Sequence, residues 1–340
     1  MSKYDVTIAI PVFNAKIYLH ETMMAALEQD YSSIEFLIVD DCSSDGSIDI
    51  IRQLQQNHPR GKDIRIVSLE SNIGIGAVRN RILEEAQGQY LYFLDADDLI
   101  VPTTISLMMS AAREHDAELV MASYERVEKY NHTSPTVLYQ FPNKVFTKPN
   151  EFAAYAFSSY APLQANIWNV LMDLRVIREY HLQFVDTNFW EDMVFKYNLV
   201  TYVTRAALLS DVTYSYICRE NSLSNFQKRE IISKDEIYRN VATIETLKSR
   251  CQELLCRPFF ANWLQFVLDT DFYIICNVLR KRNIITPRIS NRELRDILHS
   301  PLSVMKTLRY GNIRCRLYKV LSILPPCLSV RFLNVIAKKR

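Results

Sequence analysis

Tyr90-Leu-Tyr-Phe-Leu-Asp-Ala-Asp-Asp-Leu-Ile-Val-Pro102 decides how the chain is read. An unbroken apolar run, Tyr90 to Leu94, follows Gly88 and stops at three carboxylates, Asp95, Asp97 and Asp98. Such a run reads as a strand buried on both faces. Ligands of open α/β sheets gather beyond the carboxyl ends of such strands. Alternation along an extended segment sends Asp95 and Asp97 to the same side, so two hard oxygen donors can converge. One or two carboxylates completed by phosphate oxygens suit Mg2+ or Mn2+. Capping of a helix after Pro102 is the competing use of the same acids, and this stretch alone leaves both open.

Upstream, Val6 to Phe13 reads as a buried strand ending in Pro11-Val-Phe-Asn14, and Ala15 to Gln29 has helical spacing. Phe36-Leu-Ile-Val-Asp-Asp41 is a second strand ending in acids, followed by a helix through Ile48, Ile51 and Leu54. Ile64 to Leu69 is a third strand, and Asn72 to Gln87 a loop and helix. Four alternations of strand and helix at crossover spacing predict a mostly parallel, Rossmann-like α/β sheet flanked by helices. Its strand ends would share one crevice lined by Asn14, Asp40, Asp41, Asp95 and Asp97. There Asp41 could accept from a base N–H and Asp95 from a ribose hydroxyl. Alternatively Asp41 belongs with Ser43, Ser44 and Asp45 to the cap of the helix near Gly46. Gly74-Ile-Gly-Ala-Val-Arg79 lacks a third glycine and follows the third strand, so it is not a dinucleotide fingerprint. Arg79 could approach a phosphate or base, or stay solvated with Arg81.

Downstream, Ala117 to Tyr124 is a further strand, and Glu128 to Asn150 is polar and irregular. Trp168-Asn169 precedes a predicted helical run, Val170 to Tyr180. Asn188-Phe-Trp-Glu-Asp-Met-Val-Phe195 opens a helix with Glu191 and Asp192 in its first turn, where acids suit the dipole. Asp211 to Cys218 alternates as a strand, and from Glu236 the chain reads mostly as helices.

Charge is unevenly placed. The whole chain carries 40 basic and 38 acidic side chains, but nine of the Lys and Arg residues and no acid fall between 301 and 340. Two short apolar segments there, Arg314 to Leu324 and Leu328 to Ile336, flank Pro325-Pro326 before Lys-Lys-Arg340. They fit interfacial anchoring on an anionic membrane, or a C-terminal helix packed on the catalytic domain. Sparse aromatic residues there argue against nucleic acid. The nearest approach to a spanning helix, Phe259 to Leu279, is broken by Asp269 and Asp271. Seven cysteines without a Cys-x-x-Cys pair read as reduced thiols in the cytoplasm. Met-Ser-Lys-Tyr-Asp leads straight into a strand pattern, so no signal peptide is expected.

The matching stretches, in order, are Ile10-Pro-Val-Phe-Asn14, Val39-Asp-Asp-Cys-Ser-Ser-Asp45, Asn72-Ile-Gly-Ile-Gly-Ala-Val-Arg-Asn80, Gly88 to Asp98, Trp168-Asn169, Trp190-Glu-Asp192, and Tyr214-Ser-Tyr216 leading to Arg219 and Ser222. Together, over about 220 residues, they resemble a family 2 inverting glycosyltransferase with the GT-A fold, of the bacterial polysaccharide type. The resemblance implies hexosyl or N-acetylhexosaminyl transfer from a nucleotide-diphosphate-sugar, a UDP-sugar foremost, to a glycan or lipid-linked glycan. By position, Pro11, Phe13, Asn14 and Asp41 would line the nucleotide, supported by Asn72 and Arg79. Asp95 would meet the ribose, Asp97 would bind Mg2+ or Mn2+, and Asp98 would be left as the cap. Asp192 matches the general base, with Trp168 and Glu191 on the acceptor side. Cys42 stands where glycine is usual, and Val170 where a lysine often follows Trp-Asn.

The expected organisation is a catalytic domain over 1–225, with a nucleotide-sugar half over 1–125 and an acceptor half over 126–225. A helical C-terminal region over 226–340 would end in the basic tail 301–340. The enzyme is expected in the cytoplasm, peripheral on the inner face of the membrane. A non-catalytic membrane-associated glycan-assembly protein that keeps the fold is the alternative. A nucleotidyltransferase would need a Gly-rich basic loop after the first strand, which Pro11-Val-Phe-Asn14 is not.

Overall fold

The computed structural model describes residues 2–128, 136–159, 164, 166–187, 190–218 and 231–337. Arg219 and Ser222 lie outside the described residues, as do Asn188 and the closing Lys338-Lys339-Arg340. The chain forms two compact units, one of Met1–Phe152 and Ala161–Ser224, the other of Ala153–Tyr160 and Asn225–Arg340.

The first unit opens with β1 (Tyr4–Val12), α1 (Lys16–Leu27), β2 (Ile34–Asp40), α2 (Ser47–Asn57), β3 (Ile64–Ser68), α3 (Ile75–Glu85) and β4 (Gly88–Phe93). It continues with β5 (Leu99–Ile100), α4 (Thr104–Glu114), β6 (Leu119–Glu128), β7 (Val137–Tyr139), β8 (Lys144–Phe146) and α5 (Glu151–Ser159), whose last turns belong to the second unit. β9 (Val170–Asp173), α6 (Leu174–Glu179), α7 (Glu191–Tyr202) and β10 (Ala206–Cys218) complete it. The sheet order is β3-β2-β1-β4-β9-β6-β10-β5, with β7 on β6 and β8 on β10. The first four strands are parallel, and so are β6 and β10. Register places the site. Val12 pairs with Asp40 and Ala9 with Phe93, so the segments after β1, β2 and β4 leave the sheet at one edge.

The central strands β1, β2 and β4 are mainly apolar because both faces are covered. Val6, Ile8, Ile10 and Val12 of β1 join Phe36, Ile38, Tyr90 and Tyr92 in a core with Leu19, Met23, Ile105 and Met108 from α1 and α4. Each such side chain contributes roughly 1.5–3 kcal/mol by leaving water. On the other face α3 packs against β1 and β2.

Val170–Asp173 corrects the expected helix over Val170 to Tyr180. It is an antiparallel strand between β4 and β6, and only Leu174–Glu179 is helical. Asp173 is both the last strand residue and the N-cap of α6, its carboxylate accepting from the Arg175 backbone N–H at 2.8 Å. With no linker between the two elements, their apolar residues merge into one apparent period.

Just before β9, Asn169 adopts φ 56°, a left-handed conformation that asparagine tolerates. Its side chain is 2% exposed. Its Oδ1 accepts from the Tyr92 and Thr213 hydroxyls at 3.0 and 2.8 Å, and its Nδ2 donates to the carbonyls of Ala122 and Ser123 at 2.9 and 3.1 Å. One amide therefore joins β4, β6 and β10.

The second unit contains β11 (Ile232–Ser233), α8 (Lys234–Lys248), α9 (Cys251–Leu254), α10 (Phe260–Arg280), β12 (Ile285–Thr286), α11 (Asn291–Ile297), α12 (Val304–Tyr310), α13 (Ile313–Ile323) and α14 (Pro326–Ala337). The long α10 buries Trp263, Leu264, Val267, Leu268 and Ile275. Asp271, which interrupts its apolar sequence, is fully buried against the Lys248 ammonium at 2.6 Å. Among the described residues no helix is long and apolar enough to cross a membrane.

Asn169→Ala is expected to lower unfolding stability by about 3 kcal/mol, because it leaves buried hydroxyls and carbonyls without partners. Urea denaturation of the purified chain measures this directly.

Candidate active site

At the strand-end crevice, β1 gives way to a turn in which Asn14 takes φ 48°. Asn14 Oδ1 accepts from the Ser44 backbone N–H at 2.9 Å, and its own N–H donates to Ser43 Oγ at 3.0 Å. The loops after β1 and β2 are thus tied together. Pro11 is buried in β1, whereas Phe13 stands out of it, 52% exposed. After β2, Cys42 has φ 62°, which explains why glycine is usual at this position: a Cβ is disfavoured there.

Asp41 is buried, and both its oxygens face protein. They accept from the backbone N–H groups of Ile73 and Gly74 at 2.7 and 3.1 Å. The carboxylate therefore fixes the loop that leads into α3, with Asn72 exposed beside it. Asp45 accepts from the Ser47 backbone and hydroxyl, as its expected place at the start of α2 requires.

Arg79, on α3, is 5% exposed. Its guanidinium donates to Glu191 Oε1 at 2.6 Å and lies 3.6 Å from Asp95 Oδ1. It also sits over the rings of Phe184 and Phe93, at 5.6 and 6.0 Å. Asn80 clamps the Phe184 backbone from both sides, accepting from its N–H at 2.7 Å and donating to its carbonyl at 2.8 Å. Gly76 brings α3 so close to the next segment that a Cβ there would overlap the Val185 carbonyl. These contacts bring the start of α7 to the crevice.

Three carboxylates, Asp95, Glu191 and Asp192, act on this guanidinium. Burial, with Asp97 and Asp192 nearby, pushes the Asp95 carboxyl up to about 6 although Arg79 opposes the change. Burial beside Asp192 likewise pushes Glu191 up to about 7 against the pull of Arg79. Burial works against the Arg79 charge, but Asp95, Glu191 and Asp192 outweigh it and raise its pKa. Asp97 is partly exposed at the mouth, and Asp192 is partly buried in the first turn of α7. Glu191 thus holds a buried ion pair and is not open to solvent.

Asp98 separates from its neighbours. It is fully buried, accepting from the Tyr214 hydroxyl at 2.7 Å and the Ile217 N–H at 2.8 Å. The expectation that it caps the helix after Pro102 fails, because the N-cap of α4 is Thr103 and no side-chain cap hydrogen bond is made there. Trp168 is 8% exposed, stacked on Tyr214 at 4.4 Å and Tyr216 at 5.5 Å, and edge-on to Tyr124. Its indole is a wall element of the core.

Lys196 escaped the sequence reading. It is 2% exposed, one turn after Asp192, and its ammonium donates to Asn166 Oδ1 at 2.7 Å and the Gln164 carbonyl at 3.0 Å. Burial pulls it down to about 7, with Asp192 acting in the other direction. A lone lysine four residues after an acid, inside an apolar helix, was the signal available.

A mostly parallel sheet flanked by helices, with acids at its strand ends, is the architecture of the GT-A class of glycosyltransferase. Residues 7–158 match the family described as glycosyl transferase family 2. That segment thus carries the family's signature, and the chain is a glycosyltransferase of the bacterial glycan type, using a nucleotide-sugar. It is 26% identical over 285 residues to the cholesterol galactosyltransferase of Borreliella burgdorferi, covering 80% of this chain and 77% of that one. It is 28% identical over 238 residues to the Escherichia coli UDP-Glc:alpha-D-GlcNAc-diphosphoundecaprenol beta-1,3-glucosyltransferase WfaP, covering 69% and 86%. The fold resembles S. aureus TarS 1-349 in complex with UDP-GlcNAc, with a TM-score of 0.63, 16% identity, and coverage of 94% and 90%.

Asp95 and Glu191 hold protons in the folded chain that the unfolded chain releases at lower pH. Their contribution to stability is present below about pH 4 and is lost as pH rises through about 6 and 7. Thermal midpoints measured from pH 4 to 8 should therefore fall less steeply for Glu191→Gln than for the natural chain. Lys196 acts in the opposite direction above that window, since its lowered pKa makes stability rise with pH.

Proposed function

We propose that the chain performs a metal-dependent, inverting transfer of a hexosyl or N-acetylhexosaminyl group from a UDP-sugar to a glycan or lipid-linked glycan hydroxyl. The observation that carries this reading is the cluster of Asp95, Glu191 and Asp192 about Arg79, with Asp97 at its mouth. Two like charges about 5 Å apart repel by about 3 kcal/mol at an effective dielectric near 20. A diphosphate could not settle beside these acids with one guanidinium as its only support. The donor set therefore fits a divalent cation that arrives with the diphosphate. Among the described residues no three His, Cys, Asp or Glu side chains form a complete metal cage. Mg2+ and Mn2+ take phosphate and water oxygens beside one or two carboxylates, which Asp97 and Asp95 would supply.

Asp97 would hold the cation, with Asp95 next to it turned to the ribose. When bound, the cation neutralises charge that develops on the departing diphosphate. Pro11, Phe13 and Asn14 form the base side of the cradle, and Asp41 shapes it by holding the 72–74 loop. Asp192 takes the proton of the acceptor hydroxyl as that oxygen attacks C1 from the face opposite the leaving group. One displacement inverts the anomeric centre. Glu191 and Arg79 keep the first turn of α7, and so Asp192, facing the donor. Trp168 supports the acceptor side through Tyr214 and Tyr216.

The lipid-linked acceptor named for WfaP supports an acceptor of that kind here. It also supports work in the cytoplasm at the inner membrane face, with the tail 301–340 on anionic lipid.

Asp192→Asn should reduce transfer by about a thousandfold or more while calorimetric donor affinity changes little. Undiminished turnover would remove Asp192 from the base role. In Asp97→Ala, the Mn2+-dependent part of UDP-sugar binding should vanish from the same calorimetric titration, and its persistence would refute the cation assignment.

A further inference from the structure

Large apolar side chains of the described residues are exposed very unevenly. Ten of the 22 that stand open to solvent fall between Val304 and Val335. In α13, Ile313, Leu317 and Val320 recur at i, i+4 and i+7, on one face, and are 78%, 49% and 50% exposed. The opposite face, Cys315, Tyr318 and Leu321, is buried. In α14, Leu328, Phe332 and Val335 repeat the spacing at 47%, 56% and 54% exposure, opposite the buried Val330 and Leu333. α12 adds Met305 and Leu308. α13 and α14 are thus apolar on two sides, one packed into the unit and one left outside. A helix on a globular surface normally shows a polar outer face, so these outer rows need an apolar partner.

The surrounding charge says which partner. The segment 301–340 has nine Lys and Arg residues and no Asp or Glu. Arg314 is engaged by Asp269 at 3.1 Å, and Arg316 donates to the Leu308 carbonyl at 2.7 Å, but Arg309 and Arg331 are exposed. Arg331 and Val335 also line a cavity of about 320 Å³ with Arg282, Asn291 and Asn334. Guanidinium and amide donors beside an apolar row match a lipid phosphate above its acyl chains. A second copy of the same surface would bring like charges together, which argues against self-pairing.

We propose that the outer rows of α12, α13 and α14 seat the chain on an anionic phospholipid bilayer, with these helices lying in the interface plane. This deepens the membrane reading given above and is independent of the transferase site. The rows enter the acyl boundary, and the basic side chains hold the headgroups. Neither contribution suffices alone, so binding needs both anionic lipid and the apolar row.

Flotation of the full chain with phosphatidylcholine vesicles, and with vesicles that also contain phosphatidylglycerol, tests this. The natural chain should float with the mixed vesicles, sink with phosphatidylcholine alone, and partly release at high salt. Leu317→Glu combined with Phe332→Glu should lower the apparent vesicle affinity about tenfold or more, and Arg331→Glu should lower it less. Both apolar positions are exposed, so an unchanged thermal midpoint and unchanged calorimetric UDP-sugar binding are expected for the double variant. The behaviour of the natural chain on the two vesicles decides the matter even if that variant fails to fold. Equal flotation on both vesicles, or on neither, overturns the proposal. So does sedimentation velocity in which the natural chain is a dimer and the double variant a monomer, since the rows then join two copies. Asp192→Asn should float like the natural chain, which separates failure here from failure of the catalytic assignment.

Discussion

The buried pair of Arg79 and Glu191 is the constraint on which the catalytic unit turns. The two residues stand 112 positions apart in the chain, yet their side chains meet at 2.6 Å with almost no access to water. A buried ion pair gives little net stability, because desolvation cancels much of the attraction. What it supplies is position. Removing either partner would strand a charge, so the two helices that carry them cannot drift apart cheaply. α3 and α7 come from distant parts of the chain, and the guanidinium is the point at which both are referred to Asp95.

The same economy recurs around the sheet. Asp41 sits where a base-binding acid is expected, but it is first a clamp on the 73–74 backbone. Asp98, next to Asp97, is turned wholly inward to hold β10 through Tyr214 and Ile217. Asn169 ties β4, β6 and β10 through one amide. Acids and amides that look alike in sequence divide into those that face the crevice and those that hold its walls. The division follows burial: an acid held by two protein donors, as Asp41 and Asp98 are, stays inside.

Much of this was legible from residues alone, for a definite reason. β1, β2 and β4 are covered on both faces, so each appears as a mainly apolar run, and the runs of β2 and β4 stop abruptly at acids, a pattern with few other readings. β9 was not legible, because Asp173 ends the strand and caps the helix in one step and leaves no gap in the hydrophobic pattern. The first turn of α7 was found from Trp190-Glu-Asp192, but the different situations of Glu191 and Asp192 were not, since a pairing across more than a hundred residues leaves no local trace. Lys196 was overlooked because a single lysine among Val194, Phe195 and Tyr197 reads as an ordinary solvated side chain. The apolar content of the tail was visible, whereas the fact that half of it points away from the unit's core required the coordinates.

Gly76 has a consequence of a different kind. Only six glycines occur in 340 residues, and this one lies where two backbones approach without room for a methyl group between them. The distance from α3 to the Val185 segment is therefore set by main chain, which every amino acid shares, and not by side chains that can be exchanged. The neighbouring loop can vary in sequence without changing that spacing, provided that the hydrogen atom at position 76 stays a hydrogen atom.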